Sequence, residues 1–511
     1  MVFVKRTLPV LLGIFLVSVL VRLPQLQRPL GGNHEFCTAV ALRIMQVWHD
    51  GGIVRYGFNP AMNYMHDADK YINNHASQTG LPIDDNGNYY YVSHPPLAYY
   101  FPFFVFKALG VRPDVIPLRI FNLLLHFVSA LFVYFTVCLL SFNRARSLPY
   151  RSALVAYAVY LFLPVTLWFQ GNVYMSDMAV HTLFIIGVYI ILKMTIRQKF
   201  HSPKYLFFYA LVLFLMLYTS WLGVFYAAGV LLYAISHVKQ VSGFRAVIAI
   251  TVVCLIVSFQ IMIYQYSQVN GPLSYFSEMI SRYMARGSFA DTKHGLLHFM
   301  FGYLWFAKTL LYNYLMYYNI FFLLAGLFVY FALTRSKLRI VFSENGYRFI
   351  WFSVAPVLML HLFLLNYSAH SFTVLYASLF FSVLAGMMYD KIKKSGSIPL
   401  ARMQAGLVVV LLLFVVQYHW MNTEKAVYKQ AGETISKNVT AQQVIFTNQP
   451  MLLEPQTILY AQRNIRFASN TADALEFLNK YGRKEGVFIR LQMHTDTVYV
   501  QEKHIVRAGE E

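Results

Sequence analysis

The apolar residues of this chain come in long blocks without a single Lys, Arg, Asp or Glu, and no other feature constrains its fold so strongly. A membrane helix needs about 20 mainly apolar residues. Such blocks cover 7–21, 120–143, 152–176, 178–192, 205–238, 246–277, 309–334, 349–389 and 403–423. Two are too long for one crossing. Residues 205–238 are predicted to fold back near 219–222, and 349–389 to turn around 366–370. The pattern therefore predicts an α-helical polytopic membrane protein with eleven membrane helices. The first block follows Lys5 and Arg6 and has no small-residue cleavage site behind it, so it reads as an uncleaved helix. Only 13% of the 511 residues are charged, against about a quarter in a soluble domain, which argues against a multidomain soluble enzyme. Cys37, Cys138 and Cys254 lack CxxC spacing, so neither a disulfide framework nor a zinc site follows.

The net charge of +20 is read first as a topology signal, and nucleic acid is not an expected partner. The segment 94–109 is apolar but short, holds Pro102 and Lys107, and is placed in the membrane interface. One side then receives the N-terminus and the loops near 143–152, 193–204, 237–245, 334–348 and 389–402, with 19 Lys and Arg residues together. The short opposite loops near 170–177, 219–222 and 366–371 hold none. The positive-inside rule puts the N-terminus in the cytoplasm and, after eleven crossings, the C-terminus outside. A bacterial inner membrane is the expected location. Within a membrane module of residues 1–421, 22–116 form a long first extracytoplasmic loop and 265–308 a second. Composition changes sharply at 422. Residues 422–511 are expected to form a small extracytoplasmic α/β domain, with strands at 443–447 and 486–491, one or two strands over 497–506, and an amphipathic helix at 471–481.

The candidate chemistry lies on the predicted outer side. In Asn33-His34-Glu35-Phe36-Cys37-Thr38-Ala39, Gly31-Gly32-Asn33 reads as the lead-in turn of an interfacial helix, with Glu35 in its first turn facing water. A carboxylate there could accept a proton from an acceptor hydroxyl or amine, or simply complement the helix dipole. His94 precedes Pro95-Pro96-Leu97, and the prolines fix the backbone beside it. It could contact a lipid phosphate or belong to an aromatic belt with Tyr99 and Tyr100. Asp177 interrupts two apolar blocks at the outer rim, as a functional acid or a helix cap. Arg282 and Arg286, four residues apart, share one side of a surface helix, and Lys308 precedes the next span. Such cations suit an anionic phosphate or ordinary lipid headgroups. His370 lies in the polar turn Asn366-Tyr367-Ser368-Ala369-His370-Ser371-Phe372. His126, His181 and His361 fall inside spans and read as packing residues, and Asp67, Asp69 and Asp84-Asp85-Asn86-Gly87-Asn88 as turns. No HExxH, Walker, GxSxG or GxGxxG signature stands out.

Taken in order, these motifs resemble the GT-C superfamily of polyprenyl-phosphate-sugar glycosyltransferases, which includes the protein O-mannosyltransferases and the lipid A aminoarabinose transferases. The likeness covers roughly residues 5–390. It rests on Glu35 after the first helix, His94-Pro95-Pro96-Leu97, Arg119 in Pro117-Leu118-Arg119-Ile120, Asp177, and the turn His370–Phe372. It implies inverting transfer of a sugar from a polyprenyl-phosphate donor to an extracytoplasmic lipid, glycan or protein acceptor. Glu35 and Asp177 would be catalytic. His94, Arg282, Arg286 and Lys308 would bind the donor phosphate, and His34, Arg119 and His370 would line the site. Many relatives carry Asp-Glu where His34-Glu35 stands here, so no cofactor is assigned and a divalent metal stays open. A polysaccharide polymerase or ligase and a polytopic transporter are the rival readings. The transporter should show repeated halves and midplane charges, neither of which is seen.

Overall fold

The computed structural model describes residues 2–73, 81–141, 150–287, 296–334, 343–396, 398–421, 425–493 and 498–509. The opening helix is α1 (Val2–Leu26). The first loop carries α2 (Glu35–Gly51) and α3 (Leu97–Ala108). The membrane bundle continues with α4 (Val115–Ser141), α5 (Tyr150–Phe162), α6 (Pro164–Asn172), α7 (Ser176–Ile196), α8 (Pro203–Leu217), α9 (Trp221–His237) and α10 (Phe244–Asn270). It closes with α11 (Pro272–Arg286), α12 (Leu296–Thr334), α13 (Glu344–Phe363), the single turn α14 (Leu365–Ser368), α15 (Ser378–Ser395) and α16 (Leu400–Trp420).

Eight helical stretches among the described residues are long and apolar enough to cross a membrane, and α5 with α6 makes a ninth, bent by 57°. The bend falls at Pro164, which has no N–H for the helix ladder. The block 152–176 is thus a broken helix rather than one rod. The long block 205–238 divides into α8 and α9, of 15 and 17 residues, around Tyr218–Ser220. With α3 they are the three shorter apolar helices among the described residues, below the length of the other spans. The block 349–389 also divides as expected, through α14 and a 3-10 stretch, Ser371–Ala377. Leu16, Val17 and Leu20 of α1 and Leu412, Leu413 and Val416 of α16 lie exposed, a surface suited to hydrocarbon.

The second loop differs most from the sequence reading. Described residues of 265–308 are mainly helical: α10 runs on to Asn270, α11 follows, and α12 starts twelve residues before Lys308. A helix does not stop at a charge, and the run before Lys308 is rich in apolar residues. At about 1.5 Å per residue the 39-residue α12 is about 58 Å long, well beyond a hydrocarbon core of about 30 Å. Helix α3, with 12 residues, spans only about 18 Å.

After α16 the chain forms α17 (Val427–Asn438), β1 (Val444–Thr447), α18 (Pro455–Ala461), β2 (Ile465–Phe467), α19 (Thr471–Lys480), β3 (Glu485–Met493) and β4 (Val498–Arg507). The sheet order is β2-β1-β3-β4. The first three strands are parallel, with Ile445 opposite both Ile465 and Val487, and β4 is antiparallel. Residues 422 and 497, limits in the sequence reading, lie outside the described residues. This α/β unit shares one core with the first loop, through Ile44, Trp48 and Tyr64 on one side and Ile435, Ile458 and Ile489 on the other. Asp69 is not the simple turn residue expected. It is fully buried and holds Arg463 of the α/β unit at 3.1 Å. The Asn464 N–H also donates to it at 2.7 Å.

Candidate active site

Glu35 opens α2 and is completely buried. Its Oε1 accepts from Arg28 at 2.5 Å and from Arg119 at 3.0 Å. Its Oε2 accepts from the N–H groups of Gly31 at 2.8 Å and Gly32 at 2.6 Å. Only glycines allow this clamp: a Cβ on Gly31 would lie 2.2 Å from the Lys425 carbonyl oxygen, and one on Gly32 2.7 Å from the Trp168 ring. Arg119 also donates to the carbonyls of Gln25, Leu26 and Arg28, tying the end of α1 to α4. The expected water-facing carboxylate is thus corrected to a buried one. Two cations and two amides occupy its oxygens.

Asp177, on the first turn of α7, is also completely buried but has a different shell. The hydroxyls of Tyr367 and Tyr376 both donate to its Oδ1. Its Oδ2 receives only a long 3.3 Å contact from the Ser176 hydroxyl. Arg286 stands near: its guanidinium lies 5.3 Å over the Tyr367 ring. From Tyr367 a run of rings extends both ways, to His94 at 6.0 Å and to His370 at 6.4 Å, and from His370 to His34 at 5.6 Å.

A cavity lies at each end of this run. The first, about 530 Å³, is walled by apolar residues of α9, α10 and α11 such as Val224, Ile256, Phe259 and Ile280. It ends on Ser93, His94, Ser220 and Arg282. There Arg282 donates to the Ser93 hydroxyl at 2.5 Å and pairs with Glu278 at 2.6 Å. The His94 Nδ1 is 3.5 Å from the Ser220 hydroxyl. Burial, reinforced by the Arg286 and Arg282 charges, pushes the His94 imidazole down to about 3. His94 is therefore a neutral hydrogen-bonding group near pH 7, not a cation. The second cavity, about 350 Å³, is more polar than the first and lies between His34, Trp168, Asn313 and His370.

The structure thus brings His94 and Arg282 together at the first cavity, sets Arg286 over the Tyr367 ring outside both linings, and puts His34 and His370 at the second. Arg119 belongs to the Glu35 clamp. Lys308 stands apart: it is exposed on α12, 5.8 Å over the Trp305 ring, and lines neither cavity. Sequence reasoning missed Arg28, Trp168, Ser220 and Tyr376. Tyr367 was visible in the polar turn around His370, but nothing local marked it as a partner of Asp177.

Solved structures share this architecture. ArnT from Cupriavidus metallidurans, bound to undecaprenyl phosphate, superposes with a TM-score of 0.56 at 12% identity, over 100% of this chain and 99% of that one. The oligosaccharyltransferase AglB from Archaeoglobus fulgidus, in complex with an inhibitory peptide and a dolichol-phosphate, gives 0.53 at 12% identity, over 95% and 70%. The Archaeoglobus fulgidus oligosaccharyltransferase in complex with Zn and sulfate gives 0.57 at 14% identity, over 94% and 68%. The chain shares the fold of these structures. With its apolar helices, this makes it an integral, multi-pass membrane protein. No family model matches the sequence, and no curated protein matches it either.

The Zn in one of these structures raises the question of a metal, and the described residues do not fit one. Among the described residues no three His, Cys, Asp or Glu side chains gather as a ligand set. His34 and His370 meet edge to face with their ring centres 5.6 Å apart, and Glu35 is held by arginines.

Proposed function

We propose that this protein is a membrane glycosyltransferase that moves a sugar from a polyprenyl-phosphate donor to an extracytoplasmic acceptor, with inversion. The observation that carries this reading is the first cavity. An apolar channel between helices that ends on an arginine, a neutral imidazole and two hydroxyls suits a long prenyl tail with a phosphate at its end. Arg282 would pair with the phosphate, with Ser93, Ser220 and His94 as hydrogen-bonding groups, and Arg286 would balance the charge that develops as it leaves. The bond between the anomeric carbon and the phosphate oxygen breaks, and its electron pair goes with the phosphate. The acceptor oxygen or nitrogen forms the new bond from the opposite face, and its proton passes to a carboxylate.

Asp177 suits that role better than Glu35. Its Oδ2 has a single long hydrogen bond among the described residues, and its partner Tyr367 stands between His94 of the first cavity and His370 of the second. Glu35 positions: it joins Arg28, Arg119 and the Gly31-Gly32 turn, and so sets the start of α2 beside His34. Lys308, exposed on α12, is proposed to contact lipid rather than donor.

The reaction belongs on the outer face under the topology proposed here, with a cytoplasmic N-terminus and an extracytoplasmic α/β domain in a bacterial inner membrane. Besides the basic loops, parity supports it. Asp69 touches Arg463, so an even number of crossings must separate them. With α3 in the interface there are ten: α4, the α5–α6 pair, α7, α8, α9, α10, α12, α13, α15 and α16. If α3 crossed, the number would be odd. In a cysteine-free background a cysteine at Ser469 should react with an impermeant thiol reagent in intact cells, and one at Ser395 should resist. The reverse pattern overturns the orientation. The activity itself is tested with radiolabelled hexosyl-phosphoryl-polyprenol in membranes holding the full-length protein. Label should move covalently to an acceptor. Label that only changes leaflet would favour a transporter.

A further inference from the structure

The second cavity has a chemical character of its own. Among the described residues its lining contains no Asp, Glu, Lys or Arg. Its polar groups include the amides of Asn33 and Asn313, the hydroxyls of Tyr312, Tyr317 and Ser371, and the rings of His34 and His370. Burial holds both imidazoles neutral at pH 7, pushing His34 down to about 3 and His370 to about 4.

Several of these groups keep hydrogen-bonding capacity. Asn33 Nδ2 donates to Ser371 at 2.9 Å and Tyr317 at 3.3 Å, and Asn313 Nδ2 donates to the Ala369 carbonyl at 2.8 Å. Each amide oxygen is without a protein partner among the described residues. The His34 Nδ1 is shut off from solvent and likewise unpartnered. His34 is also held in the left-handed region, at φ 60°, a conformation unusual for a residue with a side chain. Backbone strain of this kind is found where a fold positions a side chain. Trp168, which contributes to the lining, donates from its indole to the Asn33 carbonyl at 3.1 Å and so holds Asn33 in place.

We infer that this cavity seats an uncharged polyhydroxyl group, a neutral sugar ring, and discriminates against anionic and cationic sugars. The inference rests on the reading of the first cavity as a polyprenyl-phosphate seat. A volume of about 350 Å³ lies at the small end of ligand sites, suited to one compact polar group. Hydroxyls can answer the amides, imidazoles and phenols in turn. A carboxylate or ammonium would be desolvated with no opposite charge in the lining, which is costly. The ring could be the donor's own sugar or part of a saccharide acceptor, and the two sources share this chemistry.

The experiment uses the full-length protein in detergent. Bare undecaprenyl phosphate is titrated first, against wild type and Arg282→Ala. Absence of binding, or binding indifferent to Arg282→Ala, defeats the parent reading and with it this inference. In a donor arm, undecaprenyl phosphates carrying a neutral hexose, a uronic acid or an amino sugar are compared. In an acceptor arm, free neutral, carboxylated and aminated oligosaccharides are titrated onto protein saturated with bare undecaprenyl phosphate. In one arm the neutral member should bind at least about 10-fold tighter than both charged ones, and that arm identifies the source of the ring. Asn313→Asp should abolish the preference while leaving bare lipid phosphate affinity within about twofold. Because Asn313→Asp also loses the bond to Ala369, Tyr312→Asp serves as a second variant: Tyr312 lines the cavity and is 58% exposed, so it should carry a charge without unfolding. Charged sugars bound as tightly as neutral ones in both arms would overturn the inference with the parent reading intact. So would a preference that survives both variants.

Discussion

Glu35 and Asp177 are both fully buried carboxylates beside the same run of rings, yet their surroundings ask opposite things of them. Glu35 meets two guanidinium groups and two backbone N–H groups, shared evenly between its oxygens. Asp177 meets two phenols, both on one oxygen. The first arrangement ties two arginines and the Gly31-Gly32 turn together and fixes backbone. The second orients a carboxylate through one oxygen and leaves the other only the long 3.3 Å contact from Ser176. Acid residues at a membrane rim are thus not interchangeable evidence for catalysis, because the donors around each decide whether it can take a proton.

The amide substitutions sharpen this contrast most. Asp177→Asn keeps an oxygen for both tyrosines and removes only proton acceptance, so the protein should fold while turnover falls by about 10²–10⁴. Near-normal turnover in folded Asp177→Asn would break the assignment. Glu35→Gln has no such neutral solution, since its NH2 must face either the arginines or the glycine amides. Breaking a buried pair of this kind costs about 3–5 kcal/mol, so Glu35→Gln should show a large drop in Tm and in folded yield. If Glu35→Gln is as stable as wild type but inactive, the roles of the two acids are reversed.

Smaller effects test the groups around them. Arg282→Ala should raise the donor KM by about 10-fold or more, as expected for a hydrogen bond to a charged group, with acceptor KM unchanged. Lys308→Ala should stay within about twofold of wild type in both. An equal donor effect from Lys308→Ala would bring α12 into the phosphate site. The last test is acidification. His34, His94 and His370 have folded values near 3, 3 and 4, below the unfolded value of about 6.5. The unfolded chain therefore binds more protons between these limits. Their stabilising effect is complete above about pH 6.5 and is lost as the pH falls toward 4 and then 3. The slope is up to about 1.4 kcal/mol per pH unit for each histidine. Thermal unfolding of the solubilised protein from pH 7.5 to 4.5 should show this, and His370→Gln should flatten it.

The membrane helices were legible because the bilayer reads composition directly: twenty uncharged residues are enough. The fold-back of 205–238, the turn near 366–370, the helix after Glu35 and three of the four strands followed from local pattern. What local pattern could not supply was partnership. Arg119 reaches Glu35 across 84 residues, and Tyr367 and Tyr376 reach Asp177 across 190 and 199. Position marked each acid as interesting, but its function is set by residues that only the fold brings near. The start of α12 was missed for the opposite reason, since Lys308 was taken as a boundary that the helix ignores.

The pair between Asp69 and Arg463 also has a consequence for how the molecule is made. The two residues are 394 positions apart, and Asp69 leaves the ribosome first. At about 5–20 residues per second its partner follows on the order of 20–80 s later. For that interval the first loop waits outside the insertion machinery with an uncompensated acid in what will become its interior, while helix after helix is threaded beside it. The arrival of the last ninety residues is then a closing step in biogenesis. A ribosome stalled before that step should leave the first loop open to proteases, even with every membrane helix in place.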